Sequence, residues 1–62
     1  MLNIQFDTGN ACFYEDIDGT EYFNVDAVEE ILQHIVFSMM EGDTSGKIRD
    51  MNGNTIGEWE NR

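Results

Sequence analysis

Cysteine, histidine and basic residues are scarce in this chain of 62 residues. The single cysteine, Cys12, cannot form an internal disulfide, which argues against a secreted scaffold held by disulfides. The single histidine, His34, and that thiol are together too few ligands for a closed zinc site. No apolar run approaches the ~20 residues of a membrane-spanning helix, and the opening residues lack the basic flank of a signal peptide. We therefore expect a cytoplasmic protein without metal or cofactor.

Positive charge is confined to one end of the sequence. The chain has 13 Asp and Glu against 3 Lys and Arg, giving a formal net charge of −10. Residues 1–46 contain no Lys or Arg, whereas residues 47–62 are neutral overall. An acidic surface of this kind repels nucleic acid and acidic membranes and attracts basic proteins. We expect no direct binding to nucleic acid or membrane, and a partner that is a basic host protein or nucleoprotein complex.

The length and composition predict one small folded domain covering residues 1–62. Hydrophobic residues form 40% of the chain and aromatic residues 11%, which is too much for a disordered acidic tail. The order of elements predicts an α+β fold, in which one helix packs on one face of three or more antiparallel strands. The expected order is β-α-β-β, with room for an extra short hairpin before the helix.

The segment before the helix contains one clear strand and one ambiguous stretch. Residues 2–7 alternate apolar and polar, which predicts a half-buried strand with Leu2, Ile4 and Phe6 facing the core. Residues 11–23 fit either two short strands around an Asp18-Gly19 turn or a loop held by its aromatic side chains.

Residues 25–41 show the clearest helical pattern. Either Asn24 or Asp26 is suited to cap its first turn, and Gly42 is suited to the left-handed residue after its end. The predicted core stripe of this helix has the spacing i, i+3, i+4, i+7 and consists of Val25, Val28, Ile31, Leu32, Ile35, Val36 and Met39.

Residues 47–60 predict a second hairpin around Asn52-Gly53-Asn54. Two registers are open. A three-residue loop with left-handed Gly53 pairs Ile48 with Ile56 on the core face. A two-residue turn pairs Ile48 with Trp59 instead, and opposes Lys47 and Arg49 to Glu60 and Glu58. We prefer the first register, because it brings two isoleucines under the helix, although it leaves Met51 and Trp59 on the other face.

The residue types that usually perform catalysis are poorly placed. Ser38 and Ser45 lack the glycine-rich elbow of a hydrolase nucleophile, and His34 lies on the helix face opposite the apolar stripe. Residues 16–21 faintly resemble a calcium loop, but an acidic turn explains them better. Cys12 is expected to be a small buried apolar residue. We predict that the protein is not an enzyme.

Acidic and aromatic residues near the middle of the chain form the candidate partner-binding surface. Phe37 is predicted to lie opposite the core stripe among acidic helix residues, where it is either a contact residue or incidentally exposed. The residues at 13–23 are either a solvated loop or a surface whose carboxylates imitate phosphates and whose rings stack on arginine. The candidate residues are Tyr14, Glu15, Asp16, Asp18, Glu21, Asp26, Glu30, Phe37 and Glu41.

The closing stretch TSGKIRDMNGNTIGEWE resembles the tail of small acidic proteins encoded by phages and plasmids. This resemblance implies a strand, a helix and a terminal hairpin, and it transfers no functional residue. Size and charge also resemble phage anti-defence proteins, including anti-CRISPR proteins and DNA mimics. That likeness implies an inhibitory binding protein acting in the cytoplasm of a host cell. The alternative is a self-assembling or scaffolding module whose acidity serves solubility, with a homodimer formed through the sheet face that carries Met51 and Trp59.

Overall fold

The computed structural model describes residues 1–62 and has an α+β fold in which a single helix packs against a sheet. Strand β1 (Leu2–Phe6) is followed by a 3-10 turn (Ala11–Phe13), then by strands β2 (Tyr14–Ile17) and β3 (Thr20–Phe23). Helix α1 (Val25–Met40) precedes strands β4 (Ser45–Arg49) and β5 (Thr55–Asn61). One antiparallel sheet has the order β1-β5-β4, and β2 and β3 form a separate hairpin. The predicted fold class is confirmed, including the extra hairpin.

Helix α1 begins and ends with the chemistry that its flanking residues predict. Of the two candidate caps, Asn24 is the one used, since its Oδ1 accepts the N–H of Ala27 at 3.3 Å. The helix ends at Met40, and Gly42 has a φ of +99°, a conformation that glycine adopts without steric cost. No helix in the structure has the length and hydrophobicity needed to cross a bilayer.

The core between helix and sheet is small. Ile35 of α1, Ile48 of β4 and Trp59 of β5 form its buried cluster, and the partly buried side chains packed against them are Phe6, Ile31, Met39 and Ile56. Trp59 is only 3% exposed. The prediction that Trp59 lies on the other sheet face is therefore wrong, and that face instead carries polar side chains such as Lys47, Glu58 and Glu60.

A β-bulge in the last hairpin explains why Ile56 and Trp59 both contribute to the core. Gly46 pairs with Trp59 and Ile48 with Gly57, but Arg49 pairs with Thr55, so Ile56 is the extra residue. Neither predicted register is correct along the whole hairpin. The bulge lets Ile56 pack against the buried cluster to which Trp59 belongs. A regular ladder would place these two residues on opposite faces, because their separation along the chain is odd.

The helix buries a face rotated from the predicted stripe. Ala27 and Ile35 are buried, and Val28, Ile31 and Met39 are partly buried. The remaining three predicted core residues are exposed, by 67% at Val25, 39% at Leu32 and 47% at Val36. On β1, Leu2 and Ile4 are also more exposed than predicted, at 44% and 37%. One sheet of three strands does not cover the whole apolar stripe of α1.

Asp50 organises the turn between β4 and β5. Its carboxylate accepts the backbone N–H groups of Asn52 and Asn54, each at 2.9 Å, and the side-chain N–H of Asn10 at 2.7 Å. These bonds tie the segment before the 3-10 turn to the last hairpin. The Asn54 backbone bond, followed by the Asn10 and other bonds, holds the pKa of Asp50 below its ordinary value of 3.8 despite burial.

We expect replacement of Asp50 by Asn to lower the melting temperature by about 5 °C near neutral pH. The charged carboxylate is favoured in the folded state, so its contribution is complete above pH 3.8 and is lost as the pH falls through the lower folded pKa. The melting-temperature difference between wild type and Asp50→Asn should therefore shrink below that pH. A difference that stays constant down to pH ~2 would contradict this assignment.

Candidate protein-binding site: an acidic arm and a helix face

Residues 14–23, here called the acidic arm, form an antiparallel ribbon with both faces open to solvent. Every residue from Tyr14 to Phe23 is exposed. Asp18 and Gly19 form its tip with φ angles of 52° and 80°, the left-handed pair that a tight two-residue hairpin needs. The molecule measures 43 × 21 × 17 Å, and its radius of gyration of 13.0 Å exceeds the ~10.6 Å expected for a compact chain of this length. An exposed ribbon of this kind lengthens the molecule but buries no side chains in the hydrophobic core.

The base of the arm is held to the body by stacked phenyl rings. Phe13 has no exposed surface, and its ring lies 6.0 Å from that of Phe6 and 6.3 Å from that of Phe23. The backbone N–H of Asn24 also bonds the Phe13 carbonyl at 2.7 Å. The arm is thus anchored where it leaves the body, while its outer part is exposed to solvent.

One face of the arm combines rings and like charges. Tyr14 pairs with Phe23, and their rings meet edge to face at 5.6 Å. The next pair on the same face is Asp16 opposite Glu21. Like charges directly opposite each other across a hairpin are destabilising, so this pair weakens the isolated arm.

The other face of the arm repeats the combination of ring and carboxylate. Glu15 pairs with Tyr22, and Ile17 pairs with Thr20 beside the tip. Tyr22 and Ile17 are each 52% exposed. A guanidinium group fits such a surface, because it bonds a carboxylate through its N–H groups and stacks on a ring through its plane. The arm can therefore contact arginine from either face.

The helix contributes a second acidic surface, here called the acidic helix face, formed by Asp26, Glu30, Phe37 and Glu41. All four side chains are exposed, Phe37 by 56%. At 100° per residue the four fall within about 60° of one another. They extend along about 22 Å of helix, with Asp26 in its first turn and Glu41 at its cap. The nine predicted residues thus divide between two surfaces, five on the arm and four on the helix.

The basic residues of the chain lie on the sheet or beside it. Lys47 pairs with Glu58 at 3.2 Å and Arg62 pairs with Glu60 at 3.1 Å, and both ion pairs are exposed. No ion pair involves a carboxylate of the acidic arm or of the acidic helix face.

A groove between α1 and β4 was not predicted from the sequence. Ile31, Ile35, Ile48 and Trp59 line its floor. Glu30 and His34 stand on its helix side, and Lys47 and Arg49 on its strand side. Cys12 also lines this groove and is partly buried rather than buried as predicted. No three His, Cys, Asp or Glu side chains come together in a group that could hold a metal ion.

Comparisons with protein-family models, with curated proteins and with solved structures found no match.

Proposed function

We propose that this protein is a non-enzymatic inhibitor that binds a basic, nucleic-acid-binding surface of a host protein or nucleoprotein complex. The observation that carries the proposal is the acidic arm, whose two exposed faces both place carboxylates beside rings and which has no cation of its own chain within ion-pair distance. The arm and the acidic helix face would take the place of phosphates.

The opposed pair Asp16 and Glu21 supports a cationic partner. Their repulsion is a cost in the free protein that an arginine or lysine placed between them would remove. Only a basic surface can relieve this repulsion on binding. The carboxylates also attract such a surface over long range, which speeds association. The same charges disfavour nucleic acid itself as the partner.

The biological setting we propose is phage anti-defence, with the host cytoplasm as the site of action. Small size, a net charge of −10 and the resemblance of the closing stretch to phage and plasmid proteins support it. Anti-CRISPR proteins of the DNA-mimic type are the kind of inhibitor meant. The target complex would be one whose own ligand is DNA or RNA.

A competition experiment tests the proposed function. The protein is immobilised, a bacterial lysate is applied, and captured proteins are identified by mass spectrometry with and without added duplex DNA or RNA. We expect capture of a basic protein that the nucleic acid displaces and that moderate salt releases, since screening acts over about 8 Å at physiological ionic strength. A partner that nucleic acid does not displace would reject phosphate imitation.

Phe37 is predicted to add a specific anchor to this charged surface. Truncating Phe37 to Ala should change the melting temperature by no more than about 3 °C, because the side chain is 56% exposed. It should raise the dissociation rate of the captured partner roughly tenfold or more, because large side chains docked in pockets carry much of the binding energy in interfaces. Surface plasmon resonance measures this rate.

Val36→Ala is a matched control for this change. Val36 is 47% exposed and lies a quarter of a turn from the acidic helix face, so its truncation should leave the dissociation rate unchanged. A large fall in melting temperature for Phe37→Ala would mean that the ring stabilises the fold instead. An unchanged dissociation rate would remove Phe37 from the interface.

A further inference from the structure

Strand β1 leaves one hydrogen-bonding edge free. It lies at the end of the sheet order β1-β5-β4. Asp7 donates its backbone N–H to Ile56 at 2.9 Å, and Arg62 donates to Met1 at 3.2 Å. Bonding between antiparallel strands alternates with period two, so Leu2, Ile4 and Phe6 direct their N–H and C=O groups away from β5. These three residues thus present three N–H and three C=O groups that pair with no other strand.

The free edge of β1 has none of the features that usually prevent strand pairing. Its sequence, Leu2–Phe6, contains no charge, no proline and no bulge. The opposite edge strand, β4, carries Lys47 and Arg49, and its pairing with β5 is interrupted by the bulge at Ile56. The two edges therefore differ, and only β1 is free to pair with another strand without opposing like charges.

The side chains beside this edge form an uncovered apolar strip. Leu2 and Ile4 are 44% and 37% exposed on the helix side of the sheet. The helix side chains near β4 are those that line the groove, such as Glu30 and His34. Leu32 and Val36 lie on the opposite flank of the helix and therefore on the β1 side. Backbone edge and apolar strip lie together on one side of the molecule.

The protein exposes more surface than a compact monomer of its size. The chain exposes 4791 Å². A compact monomer of 7.1 kDa is expected to expose about 4,100 Å². The acidic arm and the apolar strip beside β1 both contribute to this excess. A second copy seated on β1 would cover the strip without involving the arm.

We propose that two copies of this chain pair antiparallel through β1 and form a continuous six-stranded sheet. The two-fold axis would pass between the Ile4 residues of the two copies, with Leu2 of each opposite Phe6 of the other. This register uses all the outward N–H and C=O groups of both strands and keeps the three apolar side chains of each copy on the helix side. The pairing is independent of the acidic arm, so failure of either proposal leaves the other standing.

Sedimentation equilibrium at micromolar concentrations tests the pairing. We expect wild type to approach twice the 7.1 kDa of one chain. Ile4→Pro removes an outward N–H that bonds nothing within the monomer, so it should yield the single-chain mass while circular dichroism stays that of the wild type. Lys47→Pro makes the same change at an outward amide of β4 and should remain dimeric.

A second variant keeps the proposal testable where Ile4→Pro does not fold. Replacing Asn3 and Gln5 by Lys alters only side chains on the polar sheet face, where Glu60 and Glu58 pair with them. Within the monomer the new charges are attracted, whereas across the two-fold axis Lys opposes Lys, so the dimer should dissociate. A wild type that sediments as one chain would overturn the proposal. So would a dimer that survives the Lys variant or is lost in Lys47→Pro.

Discussion

Gly57→Ala is expected to remove a large part of the folding free energy of the protein. A Cβ at Gly57 would overlap the carbonyl oxygen of Gln5 and lie 2.5 Å from the Cα of Phe6, and both obstacles are backbone. Relief requires β1 to move away from β5 and breaks their ladder, at about 3 kcal/mol or more. A domain of 62 residues has only roughly 3–9 kcal/mol to lose. The melting temperature should fall by roughly 15 °C or more, as circular dichroism would show.

Alanine substitutions at two other glycines serve as comparisons for the loss of stability expected in Gly57→Ala. A Cβ at Gly9 would meet the exposed Asp7 carboxylate at 3.0 Å, which can move away at the cost of one exposed hydrogen bond to the Gly9 N–H. Gly9→Ala should therefore change stability little. A Cβ at Gly46 would lie 2.7 Å from Nε1 of Trp59, so Gly46→Ala should displace that ring and give an intermediate loss. A Gly57→Ala protein as stable as Gly9→Ala would show that the two strands do not approach this closely.

The position of Trp59 shows why the sequence predicts the strands of the last hairpin but not their register. The Asn-Gly turn and the alternating residues indicate a hairpin, and the hairpin is there. Ile48, Ile56 and Trp59 cannot all face the core in a regular ladder, because alternate residues point to opposite faces. The bulge at Ile56 resolves the conflict. Gly57 follows the bulge directly, and its backbone lies so close to β1 that a Cβ there would overlap it. Sequence periodicity does not reveal this approach.

For the helix, too, local sequence predicts the bounds, whereas tertiary packing decides which residues are buried. The predicted bounds, 25–41, agree with the observed helix to within one residue at its end, and Asn24 is one of the two predicted caps. Which part of a wide apolar stripe is buried depends on where the sheet lies beneath it. Val25, Leu32 and Val36 are as apolar as the residues that are buried, and the sheet does not extend under them.

The residues of the candidate site can be identified from the sequence, because acidic and aromatic side chains are recognised without tertiary information. Asp18-Gly19 made the hairpin one of two interpretations, and the structure adds the pairing that sets Asp16 opposite Glu21. The sequence does not reveal the hydrogen-bond network of Asp50, since its partner Asn10 lies forty residues away. Its only local signal was an Asp four residues before an Asn in a turn.

Carboxylates of the acidic arm, together with Glu30 of the acidic helix face, supply the largest expected effect on binding. Replacing Asp16, Asp18, Glu21 and Glu30 by their amides should weaken binding to the captured partner by about a hundredfold or more, mainly through slower association. The fold should survive this change. Asn-Gly is a better tip for the hairpin than Asp-Gly, and loss of the Asp16 and Glu21 charges removes their repulsion. Stopped-flow association rates measured over a range of salt concentrations check the prediction.

A control with the same change in charge separates the site from the net charge. Replacing Glu29, Asp43, Glu58 and Glu60 by their amides also changes the net charge from −10 to −6, but leaves the arm intact. The two ion pairs lost with Glu58 and Glu60 are exposed and are worth about 0–1 kcal/mol each. This control should bind within a few fold of wild type, and the difference between the two variants should vanish in high salt. Equal losses of affinity in both variants would mean that the partner responds to the total charge of the protein and does not bind the arm specifically.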